Sequence, residues 1–402
     1  MTRKIIPYAI VVLFAYIGFS LPLPILPEMF LDPERSIIPA CTLKQKMIAL
    51  GLIMASFPCG QFFGSPIIGH LSDRYGRKKV VLYSLSGTTI GYLITAFAVS
   101  QQYLWGIFLG LSLVGFCEGN VTIGQSVVAD LSITEEHRAR HFGLLNAFIS
   151  LGFIIGPLMG GQLADPKILP WFTFATPFWA AACMTVIGML IIFFGSTETL
   201  QRKNQGSWDF FSSISKGFKK PKLPKFYLAN FFLALGYFSF FRFLPVFLKE
   251  QFAFSPSYLS FVMVYGSLAM ILSVLGIVPQ LAKRFTSIRI LGTFAFLFAF
   301  TIILCILPSS PYALWVTIPL TGICLAITIT NGSLLISNAA SEDFQGQALG
   351  TLTSIQVLAE ALTGIFGGMI ASEQVALPLI IGAVMSVICT VILFTNKRKN
   401  YV

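Results

Sequence analysis

Charge is scarce in this chain, and what there is falls in clumps. Of 402 residues, 27 are Lys or Arg and 16 are Asp or Glu, while 55% are hydrophobic. No Asp, Glu, Lys or Arg occurs in residues 5–27, 47–72, 80–117, 141–164, 168–197, 251–282, 290–341 or 374–396. Soluble domains carry charge at about one residue in four, so a soluble globular enzyme is excluded. A hydrocarbon core about 30 Å thick is crossed by about 20 apolar helical residues. Each uncharged stretch is long enough to cross, and 80–117 and 290–341 are long enough to cross twice. Histidine is rarer still, with three residues, at predicted cytoplasmic helix ends. The seven cysteines show no metal-type spacing; six fall in apolar stretches and only Cys41 in a predicted outer loop, so no disulfide framework and no metal site is expected. A phosphate-binding P-loop, a His-Glu-x-x-His and a Gly-x-Ser-x-Gly are all missing. Neither an ATP-driven pump nor an intramembrane hydrolase has support, and the expectation is a non-enzyme without a cofactor.

What is present reads as an all-α membrane protein. Helices are predicted over 7–30, 47–70, 80–99, 104–129, 141–163, 176–195, 226–249, 258–281, 289–307, 312–340, 347–371 and 377–395. The run that follows Arg3 and Lys4 has no small-residue cleavage site, so it is an uncleaved first span rather than a signal peptide. With both termini on one side, that side holds 21 of the 27 Lys and Arg, which assigns it to the cytoplasm. The net charge of +11 is therefore a topology signal, and no nucleic-acid partner is expected. The polar stretch from Ser196 to Lys225 separates six spans from six. The expected organisation is a six-helix bundle at 1–195, a cytoplasmic linker at 196–225 and a second bundle at 226–402 with a short basic tail. Trp208, Phe210, Phe211, Ile214 and Phe218 would let part of the linker lie as an amphipathic helix at the lipid headgroups. The halves echo each other. Gly143, Gly160 and Gly161 recur 207 residues later as Gly350, Gly367 and Gly368, and Leu71–Tyr75 recurs as Leu281–Phe285. An internal duplication of this size is the build of secondary transporters, which bind substrate at the repeat interface.

Two motifs carry more. The first joins the second and third spans: Gly64-Ser-Pro-Ile-Ile-Gly69-His-Leu-Ser-Asp73-Arg74-Tyr-Gly76-Arg77-Lys78-Lys79. Gly64 and Gly69 allow close helix approach, Gly76 allows a tight turn, and Asp73 can face a helix N-terminus. The second is Gly152-Phe-Ile-Ile-Gly156-Pro157-Leu-Met-Gly160-Gly161 in the fifth span, a flat small-residue face with a proline bend. By itself the second reads equally well as a packing face. Together with the span count and the duplication, the chain resembles the major facilitator superfamily, most closely its twelve-helix drug:proton antiporters. The resemblance implies two pseudo-symmetric six-helix bundles. It also implies a conformational latch built from Gly69, Asp73, Arg74, Gly76, Arg77, Asp130 and Arg138, with Asp73 reaching Arg138, Arg140 or the start of the eleventh span near Gln347. The fifth-span motif implies efflux. The chain departs from that pattern twice: Glu28 stands near the outer end of the first span where relatives carry an internal acid, and Gly115 replaces the arginine expected three residues before Glu118.

Ionisable groups inside a span cost at least about 2.5–3.5 kcal/mol each and usually face a cavity. Three lie deep: Glu118, Arg242 and Glu360. Glu118, Thr122 and Gln125 share one helical face, as do Thr328, Asn331 and Asn338, and Thr353, Gln356 and Glu360. Either glutamate can pair with Arg242 as a structural ion pair. Alternatively, a carboxyl there takes and releases protons, and Glu118 is the first candidate and Glu360 the second, since spans one, four, seven and ten line the cavity in the resembled fold. Arg242 would hold an anionic substrate group or a carboxylate. Asn120, Thr122, Gln125, Asn331 and Gln356 complete the candidate substrate-binding set, with phenylalanines around Arg242 as possible stacking partners. The expected function is proton-coupled efflux of a small organic molecule by alternating access, from a monomer in the bacterial inner membrane. Its partners would be substrate, protons and lipid. Import of an organic anion, such as a carboxylate or a metal-chelating compound, is the alternative.

Overall fold

The computed structural model describes residues 2–131, 135–200, 218, 222–340 and 345–395. Among them every regular element is helical. Eleven helical stretches are long and apolar enough to cross a bilayer, and the shorter Ile5–Ser20 stands where the first span is predicted. The chain divides into two compact units, residues 1–208 with 254–264 and residues 209–253 with 265–402.

The first unit contains α1 (Thr2–Ser20), α2 (Leu26–Leu31), α3 (Leu43–Tyr75), α4 (Arg77–Ser100), α5 (Leu104–Cys117), α6 (Asn120–Leu131), α7 (Glu135–Leu163) and α8 (Thr176–Gly195). Two predicted single helices are each split. The first span is interrupted at residues 21–25, where Pro22 and Pro24 withdraw backbone donors. Short-range turns replace the helical ladder there, Leu23 N to Ser20 O at 3.2 Å and Ile25 N to Pro22 O at 3.1 Å. The fourth span breaks at Glu118 and Gly119, between α5 and α6. The second span is longer than predicted, because Thr42 and Gln45 form a reciprocal capping box that starts α3 a turn early.

Further along are α9 (Leu223–Phe252), α10 (Pro256–Leu272), a π-helical turn at Ser273–Ile277, α11 (Val278–Arg284), α12 (Ser287–Ile306), α13 (Leu314–Ala339), α14 (Gln345–Ala371) and α15 (Leu377–Phe394). The widened turn precedes Pro279, which cannot donate to the carbonyl four residues earlier, so the eighth span passes through it without a regular ladder.

The duplication is visible in how the helices pair. In the first unit α1 packs on α7 and α8, and α4 packs on α5 and α8. In the second, α9 packs on α14 and α15, and α12 packs on α13 and α15. Span for span this is one pattern used twice. Lipid is as apolar as a helix face, so close backbone approach through small residues drives these contacts. On α3, a Cβ at Gly64 would run into the carbonyl of Phe116. On α5, one at Gly115 would run into that of Phe57. Most of the linker, including the predicted amphipathic helix apart from Phe218, lies outside the described residues.

Candidate functional site

Of the three deep ionisable residues, Glu118 belongs to the first unit and Arg242 and Glu360 to the second. In the second unit, Arg242 of α9 and Glu360 of α14 form an ion pair in which Nη2 donates to Oε1, with side chains only 6% and 4% exposed. Tyr237, one and a half turns before Arg242, is buried within electrostatic reach of Glu360. Phe240 packs edge-on against Phe298 at 5.9 Å, and Phe243 is fully buried beside Gly367. Of the aromatics around Arg242, Tyr237, Phe240, Phe243 and Phe247 are buried in the unit, while Phe231, Phe232, Phe238 and Phe241 are half-buried.

Glu118, in the first unit, is different. It ends α5 at the break in the fourth span and is 3% exposed. Neither carboxyl oxygen has a hydrogen-bond partner among the described residues. The neighbouring Asn120, also buried, has an Oδ1 with no hydrogen-bond partner among the described residues. Gly119 sets the depth of this joint, since a Cβ there would collide with Ile68 of α3. Tyr92 of α4 and Cys117 lie within electrostatic reach of Glu118.

The polar stripes are only partly buried. Thr122 is half-buried and Gln125 exposed, because the break at Glu118 interrupts the helical phase on which a shared face depends. Asn331 is buried; its amide donates to Ile327 O at 2.9 Å and its Oδ1 has no partner among the described residues. Thr328 is buried and Asn338 exposed, while Gln356 is half-buried beside the exposed Thr353.

The fifth-span motif lies against α1. A Cβ on Gly152 would sit 2.6 Å from Tyr16 Cβ, and one on Gly156 would sit 2.6 Å from Ile17 O. Gly160 faces Leu21 O, and Pro157 is buried between them. Ser20 Oγ donates across the seam to Gly152 O at 3.1 Å. Gly161 faces Pro256 O and Ser260.

At the predicted cytoplasmic end, Arg77 is the centre of the loop motif. It is buried and forms ion pairs with Asp73 and with Asp130, the latter at 3.1 Å, and donates to Ser72 Oγ at 2.7 Å. Asp73 thus pairs within its own loop. Arg74 stacks on Tyr75 at 5.4 Å, and Gly69 stands over Thr122. The side chains of Arg138 and Arg140 lie outside the described residues. Two residues absent from the sequence-based set belong to this cluster. Glu198 accepts from the backbone N–H of Arg77 at 2.9 Å and of Lys78 at 3.2 Å. Lys78 Nζ donates to Phe193 O and Ser196 O, both at 2.8 Å. No local pattern marks either role, because the partners are more than 110 residues apart in sequence.

The family model described as the Major Facilitator Superfamily matches residues 8–297 and 277–401. The class H tetracycline resistance protein of Pasteurella multocida is 30% identical over 200 residues, 49% of this chain and 46% of that protein. The class C tetracycline resistance protein of Escherichia coli is 32% identical over 175 residues, 44% of this chain and 40% of that protein. The chain thus spans less than half the length of these curated relatives. Among solved structures, the human organic anion transporter MFSD10 (TETRAN) aligns over 97% of this chain and 99% of its own, with a TM-score of 0.71 and 21% identity. A point mutant of the nucleoside transporter NupG aligns over 98% and 99%, with a TM-score of 0.76 and 15% identity. At such identity these two likenesses establish the fold.

Proposed function

Because the chain belongs to the Major Facilitator Superfamily, we propose that it is a secondary transporter that exports a small organic molecule in exchange for protons by alternating access. The observation that carries the coupling is the contrast between its two deep carboxyls. Glu360 is neutralised by Arg242, whereas Glu118 is as deeply buried with no partner among the described residues. Ionised and unpartnered, a carboxylate in such a place is costly. Protonated it is tolerated, so Glu118 is the group able to alternate between a proton and a bound substrate. The break beside it supports this, since interrupted spans mark binding sites in transporters. Asn120 supplies a second acceptor without a partner among the described residues at the same joint.

The tetracycline resistance relatives and the fifth-span motif favour efflux. Tetracycline is accordingly the first compound to try. Import of an organic anion rests on Arg242, which already holds Glu360, and is the weaker reading. The protein is proposed to act as a monomer in a bacterial inner membrane, with both termini cytoplasmic, and the loop around Arg77 to act as the latch between conformations.

The test uses everted vesicles containing the full chain, energised to an acid interior and followed with a pH-sensitive dye. Tetracycline, lipophilic cations, neutral drugs and polycarboxylates are added singly. The expected result is proton leakage triggered by at least one compound and absent in Glu118→Gln. Leakage that persists unchanged in Glu118→Gln would overturn the carrier assignment.

A further inference from the structure

The reach of Glu198 gives the cytoplasmic loop a component that its hallmark motif does not contain. Glu198 follows α8 by three residues. Its carboxylate accepts four backbone N–H groups, from Arg77, Lys78, Thr199 and Leu200, at 2.9, 3.2, 2.9 and 3.0 Å. The first two are free donors at the start of α4, which no side chain of the loop itself caps. Such donors and the helix dipole favour a carboxylate at this position. Lys78 reciprocates, placing its ammonium on the last carbonyls of α8, where a cation is favoured.

Gly76 makes this approach possible. It has φ +107°, and a Cβ there would collide with the Glu198 carboxylate. The glycine thus serves the turn and also leaves room for a residue 122 positions later. With α4 anchored, Arg77 is presented to Asp73 of α3 and Asp130 of α6. Three helices and the start of the linker are then tied through consecutive residues.

We infer that Glu198 is a positioning residue of the transport cycle: it caps α4, sets the orientation of Arg77, and couples the first residues of the linker to the latch. The inference rests on the latch reading given above. Glu198 stands outside the candidate substrate-binding set, so its loss is expected to act on turnover rather than on affinity.

The experiment has two arms on the full-length protein. In the first, amide hydrogen exchange is measured across residues 76–80 for wild type, Glu198→Ala, Glu198→Gln, Gly76→Ala and the Gly76→Ala/Glu198→Ala pair. Exchange at Arg77 and Lys78 is expected to rise at least ten-fold in Glu198→Ala and Gly76→Ala. The pair should rise no further than either alone, since both remove one contact. Glu198→Gln, which keeps an accepting oxygen, should recover part of the protection. Unchanged exchange in Glu198→Ala, or fully additive effects, overturns the cap. In the second arm, transport of the compound that elicits proton leakage is followed in the same variants and in Asp73→Asn. The maximal rate should fall at least five-fold in Glu198→Ala with KM within two-fold of wild type, and Glu198→Gln should restore part of it. A wild-type rate in Glu198→Ala alone overturns the role of Glu198. Wild-type rates in both Glu198→Ala and Asp73→Asn overturn the latch reading beneath it.

Discussion

Glu118 and Glu360 are the same residue type at the same burial, and the structure assigns them opposite consequences on substitution. Removing one partner of a buried ion pair leaves an uncompensated charge, at about 3–5 kcal/mol. Glu360→Gln, and equally Arg242→Met, should therefore lower the thermal unfolding midpoint in detergent. Replacing both together with apolar residues of similar volume should recover most of that loss. Glu118→Gln removes no partner among the described residues, so it should unfold at or above the wild-type midpoint while losing proton coupling. A common drop in stability for all single variants would contradict the assigned pairing. The sequence marked all three groups as deep ionisable residues. It left open which carboxyl Arg242 holds, because Arg242 and Glu360 are 118 residues apart and their meeting depends on how α9 and α14 are rotated about their axes.

Elements here are held by close backbone approach, and the seam between α1 and α7 is the clearest case. Gly152 and Gly156 meet α1, and Gly160 meets Leu21 just past its end, at distances where no Cβ fits. Gly156→Leu is expected to separate the two helices, with an overpacking cost of about 1–3 kcal/mol, read as reduced folded yield in a fluorescence-detected gel-filtration assay. Ser20→Ala at the same seam removes one interhelical bond, to Gly152 O, along with the hydroxyl's bonds to Tyr16 O and Ile17 O within α1. Interhelical bonds of this kind average about 0.6 kcal/mol in a bilayer, so that variant should be close to wild type. A larger effect from Ser20→Ala than from Gly156→Leu would contradict packing as the main force. The small-residue spacing is legible as a packing face, and the resemblance attaches efflux to it. That α1 is the face it meets comes only from the fold. The splits in the first and fourth spans escape the sequence reading for different reasons. Pro22 and Pro24 are visible breakers within an otherwise apolar run. Glu118-Gly119 carries only one weak breaker, and tertiary contact with Ile68 favours the glycine there.

For the whole molecule, the basic residues make a topological prediction. Arg202 through Lys222 should be cut by trypsin in everted vesicles, yielding two fragments of similar size, and protected in right-side-out spheroplasts. A fluorescent protein fused after Val402 should mature in the cytoplasm. Cleavage from the outer side would reverse the orientation and with it the placement of the Arg77 cluster. The repeated pairing of spans in the two units agrees with the glycine echoes 207 residues apart. Among the described residues, nothing lies within contact of a Cβ built on Gly143 or on its counterpart Gly350. Gly160 meets the first span, while Gly367 meets Phe243 in the seventh.

Membrane residence, the number of spans and the duplication were determined by the sequence itself. Each follows from local composition against a solvent that admits no unpaired backbone and few charges, so no long-range contact is needed to read them. Side-chain partnership was decided by the tertiary structure alone. Arg242 takes Glu360 and leaves Glu118 without a partner among the described residues, Asp73 turns to Arg77, and Glu198 crosses 121 residues to cap α4. Such pairings depend on helix rotation and register, which a run of apolar residues does not encode.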